Sequence, residues 1–270
     1  MEGGKRLLSV TELSAYMYCA RKYYLEKVKG LRQPANKAMT EGLIRHNVLE
    51  EFSNKEEKLV CSFGSLKKPQ VIEKFNALLE LCIHKVFEEN VNKIKEFEIN
   101  VGELHNKIVD ALQREILPRA ETIDEAMRKG FVGEELWKNL EPKYVSEMIL
   151  VSRNLGLKGR ADRVLISKDE ILPFELKTRV ADRVWPSDEI QVTCYAMMLE
   201  EKFNTQISKG ILETGNVRHF ISIDDEKKKK VRNIILEVRE VLEGRNLKYP
   251  NSFGKCRSCP WKKECEELGK

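Results

Sequence analysis

A chain of 270 residues with 48 Lys+Arg against 43 Asp+Glu, a net charge of +5 and 41% hydrophobic residues has the balance of a soluble globular protein. It is too apolar for a disordered chain, although its 34% of charged residues exceeds the usual quarter, and it holds no run of about 18 uncharged apolar residues long enough to span a membrane. The start, MEGGKRLLSV, lacks the apolar stretch of a secretory signal, so a cytoplasmic protein is expected. A charge this mildly basic permits nucleic-acid binding without demanding it. Seven cysteines are too few for a disulfide scaffold, and their positions matter more than their number.

In chain order, Ser9 and Glu12 make a capping-box pair, and Leu13, Tyr16, Met17, Ala20 and Tyr24 recur at helical spacing, which predicts a first helix over 10–28. Gly30 to Pro34 breaks it, and Met39, Leu43, Val48, Leu49 and Phe52 predict a second over 38–52 that contains His46. From 69 to 140 apolar positions three and four apart lie between Glu and Lys, the pattern of an inserted helical subdomain. YVSEMILV, LGLKGRADRVLI and ILPFELKTRV then read as an antiparallel meander. DEIQVTCYAMMLEEKF returns to helix, ISKGILET and VRHFISI read as a hairpin, and DDEKKKKVRNIILEVREVLEG is a charged amphipathic helix. The division is N-terminal helices over 1–52, a helical insertion over 53–143, a mixed core over 144–245 and a cysteine-bearing tail over 246–270. The run Lys227 to Lys230 reads as a solvated helix face, with a phosphate contact as the alternative.

The chemistry concentrates on the meander. Glu175 and Lys177 sit two apart and share one face of a strand. If Ser167 to Glu170 is the turn, paired numbers sum to 337, and Asp162 faces Glu175 directly. Two like charges on opposed positions are destabilising unless something positive lies between them, and a divalent cation with oxygen ligands, magnesium or manganese, answers that need. Lys177 beside them suits an attacking water and the charge that develops on a phosphoryl group. Pro173 lies in the second strand, where a slip of one residue would send the carboxylates to opposite faces. His46 follows Gly42 by one helical turn, and Gln191 and Tyr195 share a helix face, an amide and a phenol able to orient a catalytic group. Cys256, Cys259 and Cys265 have the spacing of metal-bound thiolates, and Cys19 is the best fourth ligand; zinc and an iron-sulfur cluster both remain open on spacing. Cys82 and Cys194 read as small buried hydrophobes. Arg45, Arg160, Arg163, Arg179 and Arg183 lie close in sequence to these residues and could raise a local positive field.

Cys19, Gly42 to His46, GRAD ending at Asp162, Glu175 to Lys177, Gln191 to Tyr195 and the cysteine triplet occur in the order that resembles RecB-like nucleases with an iron-sulfur staple, and most of all the Cas-four family of CRISPR-associated exonucleases. The resemblance spans about 9–52 and 144–265. It implies an α/β, restriction-endonuclease-like PD-(D/E)XK core, a mixed sheet flanked by helices, with a four-cysteine cluster, usually 4Fe-4S. By position it gives His46, Asp162, Glu175 and the backbone carbonyl of Leu176 to a catalytic Mg or Mn, Lys177 to the water and the transition state, Gln191 and Tyr195 to support of the site, and Cys19, Cys256, Cys259 and Cys265 to the cluster. It implies cleavage of single-stranded DNA ends, with the CRISPR integrase and its partner subunit as partners in spacer acquisition. The alternatives are the same chemistry in DNA repair or recombination, and a catalytically idle DNA-binding or assembly protein. The segment 53–143 has no motif counterpart, and the expectation is that it covers the active site and restricts entry to a single strand.

Overall fold

The computed structural model describes residues 6–177, 181–215, 217–248 and 253–269. Among them a six-stranded mixed sheet is flanked by helices. Strand β1 (Leu8–Ser9) leads into helices α1 (Val10–Tyr18) and α2 (Ala20–Lys27), followed by α3 (Lys37–Cys61), α4 (Lys68–Glu89), α5 (Val91–Glu96), α6 (Val101–Arg128) and α7 (Gly133–Asn139). The meander is β2 (Lys143–Ser152), β3 (Leu157–Ile166) and β4 (Ile171–Lys177). Helix α8 (Pro186–Phe203) then crosses to β5 (Lys209–Thr214), which pairs in parallel with β4 and antiparallel with β6 (Val217–Ser222). Helix α9 (Asp225–Leu242) and the short α10 (Phe253–Arg257) and α11 (Lys262–Glu267) complete the chain.

The first helix differs from its expectation. The capping box is present, with Ser9 N–H donating to Glu12 and Glu12 N–H to Ser9 Oγ, but the predicted helix over 10–28 is broken at Cys19. That residue adopts extended backbone (φ −165°, ψ 113°), ends α1 and caps α2, its thiol accepting from Lys22 N–H at 3.4 Å. The apolar spacing continues through Tyr24 because both helices pack on the same core, so periodicity conceals the break. The second helix runs on to Cys61, so residue 52 lies inside a helix rather than at its end.

Two cores form on opposite sides. One face of the sheet packs on α1, α8 and α9 through residues such as Leu13, Leu157, Val164, Val192, Leu199 and Val238. The second core joins α3, α4, α6 and α7 through Val48, Phe52, Phe75, Leu79, Leu112 and Ile116, and takes in Leu176 of β4. Between this helical layer and the sheet lie buried ion pairs: Arg163 with Glu115, and Arg119 with Glu56 at 2.5 Å, Arg119 also donating to the Pro142 carbonyl. Such pairs offset the desolvation of each charge only while both partners stay in place. No helix among the described residues is long and apolar enough to cross a membrane.

The sheet register positions the site. Ile166 pairs with Ile171, Leu165 with Leu172, Val164 with Pro173 and Arg163 with Phe174, the expected sum of 337 at every step despite the proline. On the same edge of β3, Leu157 and Lys158 pair with β1. No ladder pair fills the stretch 159–162 between the two partners, so the sheet forks there.

Candidate active site

Two side chains bridge the fork. Leu176 N–H donates to Asp162 Oδ2 at 2.7 Å, in place of a ladder bond, and the buried Tyr195 hydroxyl donates to the Arg160 carbonyl at 2.8 Å. The Tyr195 ring passes so close to Gly159 that a β-carbon there would stand 2.9 Å from it and 2.9 Å from Val10, which explains a glycine in mid-strand.

An open cleft of about 710 Å³ lies over the fork. Its lining brings together His46, Asp162, Glu175, Lys177, Gln191 and Tyr195, which enter from α3, β3, β4 and α8. It also includes Glu147, a residue the motifs missed. Paired numbers of β2 and β3 sum to 309 on either side of Glu147, which brings it level with Asp162; the β3–β4 ladder ends at Arg163 and Phe174, so Asp162 and Glu175, expected to face each other directly, lie one step beyond it at the mouth of the fork. Three carboxylates from three neighbouring strands therefore meet in one cleft. Glu147 has φ +54°, a conformation that side chains rarely adopt in a strand, and this kink sits where its carboxylate meets the cleft. Its Oε1 is 3.4 Å from His46 Nδ1, its Oε2 is 2.6 Å from Arg160 Nε, and Asp162 Oδ1 is 3.8 Å from the same imidazole nitrogen. His46, Glu147 and Asp162 offer ligand atoms within 4.8 Å of one another.

Glu175 is buried, and its Oε1 accepts from Lys177 Nζ (2.6 Å) and Gln191 Nε2 (2.7 Å), while Lys177 also donates to Gln191 Oε1 at 3.0 Å. Ser14 Oγ donates to the same amide oxygen. The other oxygen of Glu175, Oε2, is buried without a partner. An unpaired buried carboxylate oxygen is costly. Burial, and then the charge of Asp162, push the Glu175 carboxyl up to about 8. Burial likewise raises Asp162 against the lowering pull of His46 and the Leu176 N–H, while the hydrogen bond that the His46 imidazole donates to Glu147 holds it above the usual imidazole range. The orphaned oxygen and the hard oxygen-and-imidazole donor set fit a divalent cation such as magnesium or manganese. Leu176 can offer only its backbone, since its side chain lies in the helical core.

Two expectations, about charge and about coverage, need correction, whereas the lysine run is a helix face as expected. Arg163 and Arg45 do not line the cleft: Arg163 alternates to the opposite face from Asp162, where it meets Glu115 and the Tyr144 ring, and Arg45 is held among Glu213 and Glu115 there. Arg160 does line it, Arg183 is exposed ahead of α8, and Arg179 lies outside the described residues. The lysine run is a paired helix face, with Lys227 and Lys230 on Glu189 and Lys228 on Glu200. No residue of 53–143 lines the cleft, because the apolar faces of α4 and α6 pack on the far half of α3 and not over the fork.

The four predicted thiols meet at a second place. Cys19, Cys256, Cys259 and Cys265 line one small pocket with Lys22, Lys255 and Lys262 around them. The tail is held there by Arg21, which donates to the Leu247, Cys265 and Gly269 carbonyls, and by Trp261 Nε1 donating to Glu26 at 3.0 Å. Cys82 and Cys194 are buried elsewhere.

The sequence profile of the PD-(D/E)XK nuclease superfamily matches residues 7–266, and the chain belongs to that superfamily. A curated relative, the "CRISPR-associated exonuclease Cas4/endonuclease Cas1 fusion" of Leptospira interrogans serogroup Icterohaemorrhagiae serovar Lai (strain 56601), is 29% identical over 132 residues. The match takes in 44% of this chain and only 24% of that protein. A crystal structure described as SSO0001 aligns over 82% of this chain and 95% of its own at 14% identity and a TM-score of 0.32, a likeness too loose to carry weight.

Proposed function

We propose that this protein is a metal-dependent deoxyribonuclease that degrades single-stranded DNA from its ends, with spacer processing in CRISPR adaptation as its setting. The observation that carries the reading is the orphaned Glu175 oxygen beside Asp162 and Lys177 at the mouth of a forked sheet. His46, Asp162, Glu175 and the Leu176 carbonyl, joined by Glu147, would hold Mg or Mn. Such an ion supplies Lewis acidity toward the phosphoryl oxygens and lowers the pKa of a bound water.

The chain's own residues do the rest. Gln191, held by Ser14, fixes Glu175 and Lys177 in one network, so the ammonium sits at the cleft wall before substrate arrives. From there Lys177 hydrogen-bonds the attacking water and offsets negative charge developing on the phosphoryl oxygens. Tyr195, bonded to the strand backbone, keeps the fork open rather than meeting substrate.

The cysteine pocket would hold a 4Fe-4S cluster through Cys19, Cys256, Cys259 and Cys265. Three lysines around the pocket suit the net negative charge of such a four-thiolate group. The test is anaerobic purification, a visible spectrum, and incubation of end-labelled single-stranded DNA with manganese for the parent and Glu175→Gln. Manganese-dependent loss of label, absent in the variant, is expected; equal degradation by both would overturn the reading. The relative named as a Cas4/Cas1 fusion supports an integrase as physical partner, which co-purification of the two proteins tests.

A further inference from the structure

A second open cleft of about 710 Å³ lies on the other side of β1 from the catalytic one. Arg153 of the β2–β3 turn and Arg232 and Arg239 of α9 line it, with Leu7, Leu155 and Leu236 between them. On α9, Arg232, Leu236 and Arg239 stand four and three apart, one stripe of the helix. Leu236 is 62% exposed. Among the described residues none of the three guanidiniums has a carboxylate partner, in contrast to the lysines of the same helix. The acids nearest along α9 are engaged elsewhere: Glu237 accepts from Tyr16 at 2.5 Å and Glu240 from Asn246 at 3.0 Å. Arg239 makes one contact of 3.4 Å with the Arg6 carbonyl.

Guanidiniums grouped around an exposed apolar side chain suit phosphates with a base between them. The two clefts adjoin along β1 and β3: Leu7 and Gly156 line this one, Ser9 and Lys158 the catalytic one. Two residues of extended chain span about 7 Å, about the distance between successive phosphates of a DNA strand, so the near edges of the two clefts lie about one nucleotide apart and the arginines a few nucleotides further along. We propose that Arg153, Arg232 and Arg239 form a second phosphate-binding site that holds the backbone of a nucleic-acid strand a few nucleotides from the scissile phosphate. The proposal rests on the nuclease reading.

The experiment is anisotropy of labelled single-stranded oligonucleotides, short (about 2 nucleotides, too short to occupy both clefts) and long (about 20), bound to the full chain in calcium across a salt series. The parent is compared with the triple Arg→Ala variant and with the triple Arg→Lys variant, which keeps the charge. Loss of three contacts should weaken the long oligonucleotide about tenfold or more and flatten its salt slope by roughly 2, with the short one little changed and the lysine variant close to the parent in slope. An unchanged affinity and slope on the long oligonucleotide, or equal weakening on both lengths, would overturn the site. A parent that binds and cleaves beside an unaffected triple variant rejects this proposal alone; a parent that neither binds nor cleaves rejects the nuclease reading, and the site with it.

Discussion

The forked sheet and the cysteine pocket both gather groups that repel or exclude one another, yet they are assembled in opposite ways. At the fork, Glu147, Asp162 and Glu175 are brought into one cleft by three neighbouring strands, and the fold holds them together even though Glu175 is left with an unpaired oxygen. At the pocket, two short helices near the C-terminal end meet the break after α1 through a few contacts from Arg21 and Trp261. The first site is built by the fold and strains it; the second, on the proposed function, would be finished and stabilised by the group that the thiols hold. Removing a group should therefore act on chemistry in one place and on stability in the other.

The sharpest separation comes from Glu175→Gln. It should lower the cleavage rate by about 10³-fold while leaving the melting temperature unchanged or higher. The pH dependence gives the sign. With the folded carboxyl pushed up to about 8 and the unfolded one near 4.5, the folded state keeps a proton that the unfolded state releases. In metal-free buffer the parent should thus lose stability as pH rises from about 4.5 to about 8, and the Gln variant should lose less. A parallel pH profile for both would break the contrast. Cys259→Ala should do the reverse, lowering the melting temperature by about 10 °C through loss of a very long closed loop; calorimetry showing the parent's curve would remove the clip. Glu147→Gln should raise the manganese needed for half-maximal activity about tenfold or more, read by metal titration. Tyr195→Phe frees the Arg160 carbonyl and should cost about 1–2 kcal/mol, or several degrees, with a smaller effect on rate. Lys229→Ala, on the solvated face of α9, should change stability by less than about 0.5 kcal/mol in denaturant titration.

The sequence made the fork legible where local rules governed it. The Ser167 to Glu170 turn and strict alternation gave the four ladder pairs from Ile166–Ile171 to Arg163–Phe174, so Asp162 and Glu175 could be set at one end of the ladder before any coordinates, although the fork that parts the strands there was not legible. Glu147 was missed because its place depends on a second register and on a left-handed backbone that no propensity favours at glutamate. The break at Cys19 was hidden because apolar spacing reports the buried face, not the hydrogen bonds along it. Arg163 was misread because proximity in sequence ignores the alternation that sends neighbours to opposite faces. The helical layer was visible as helices, but its placement behind the sheet, through Leu176 and the buried ion pairs, is long-range packing that periodicity does not encode.

Helix α3 carries His46 as the tenth of its 25 residues and ends at Cys61 among the helices of the second layer. Fifteen residues separate the two, about 22 Å along the axis. A rotation of about three degrees about the far end displaces the imidazole by roughly 1 Å, the scale on which misplaced catalytic groups lose most of their effect. The position of the imidazole in the cleft thus depends on how the far half of α3 is packed in the helical layer.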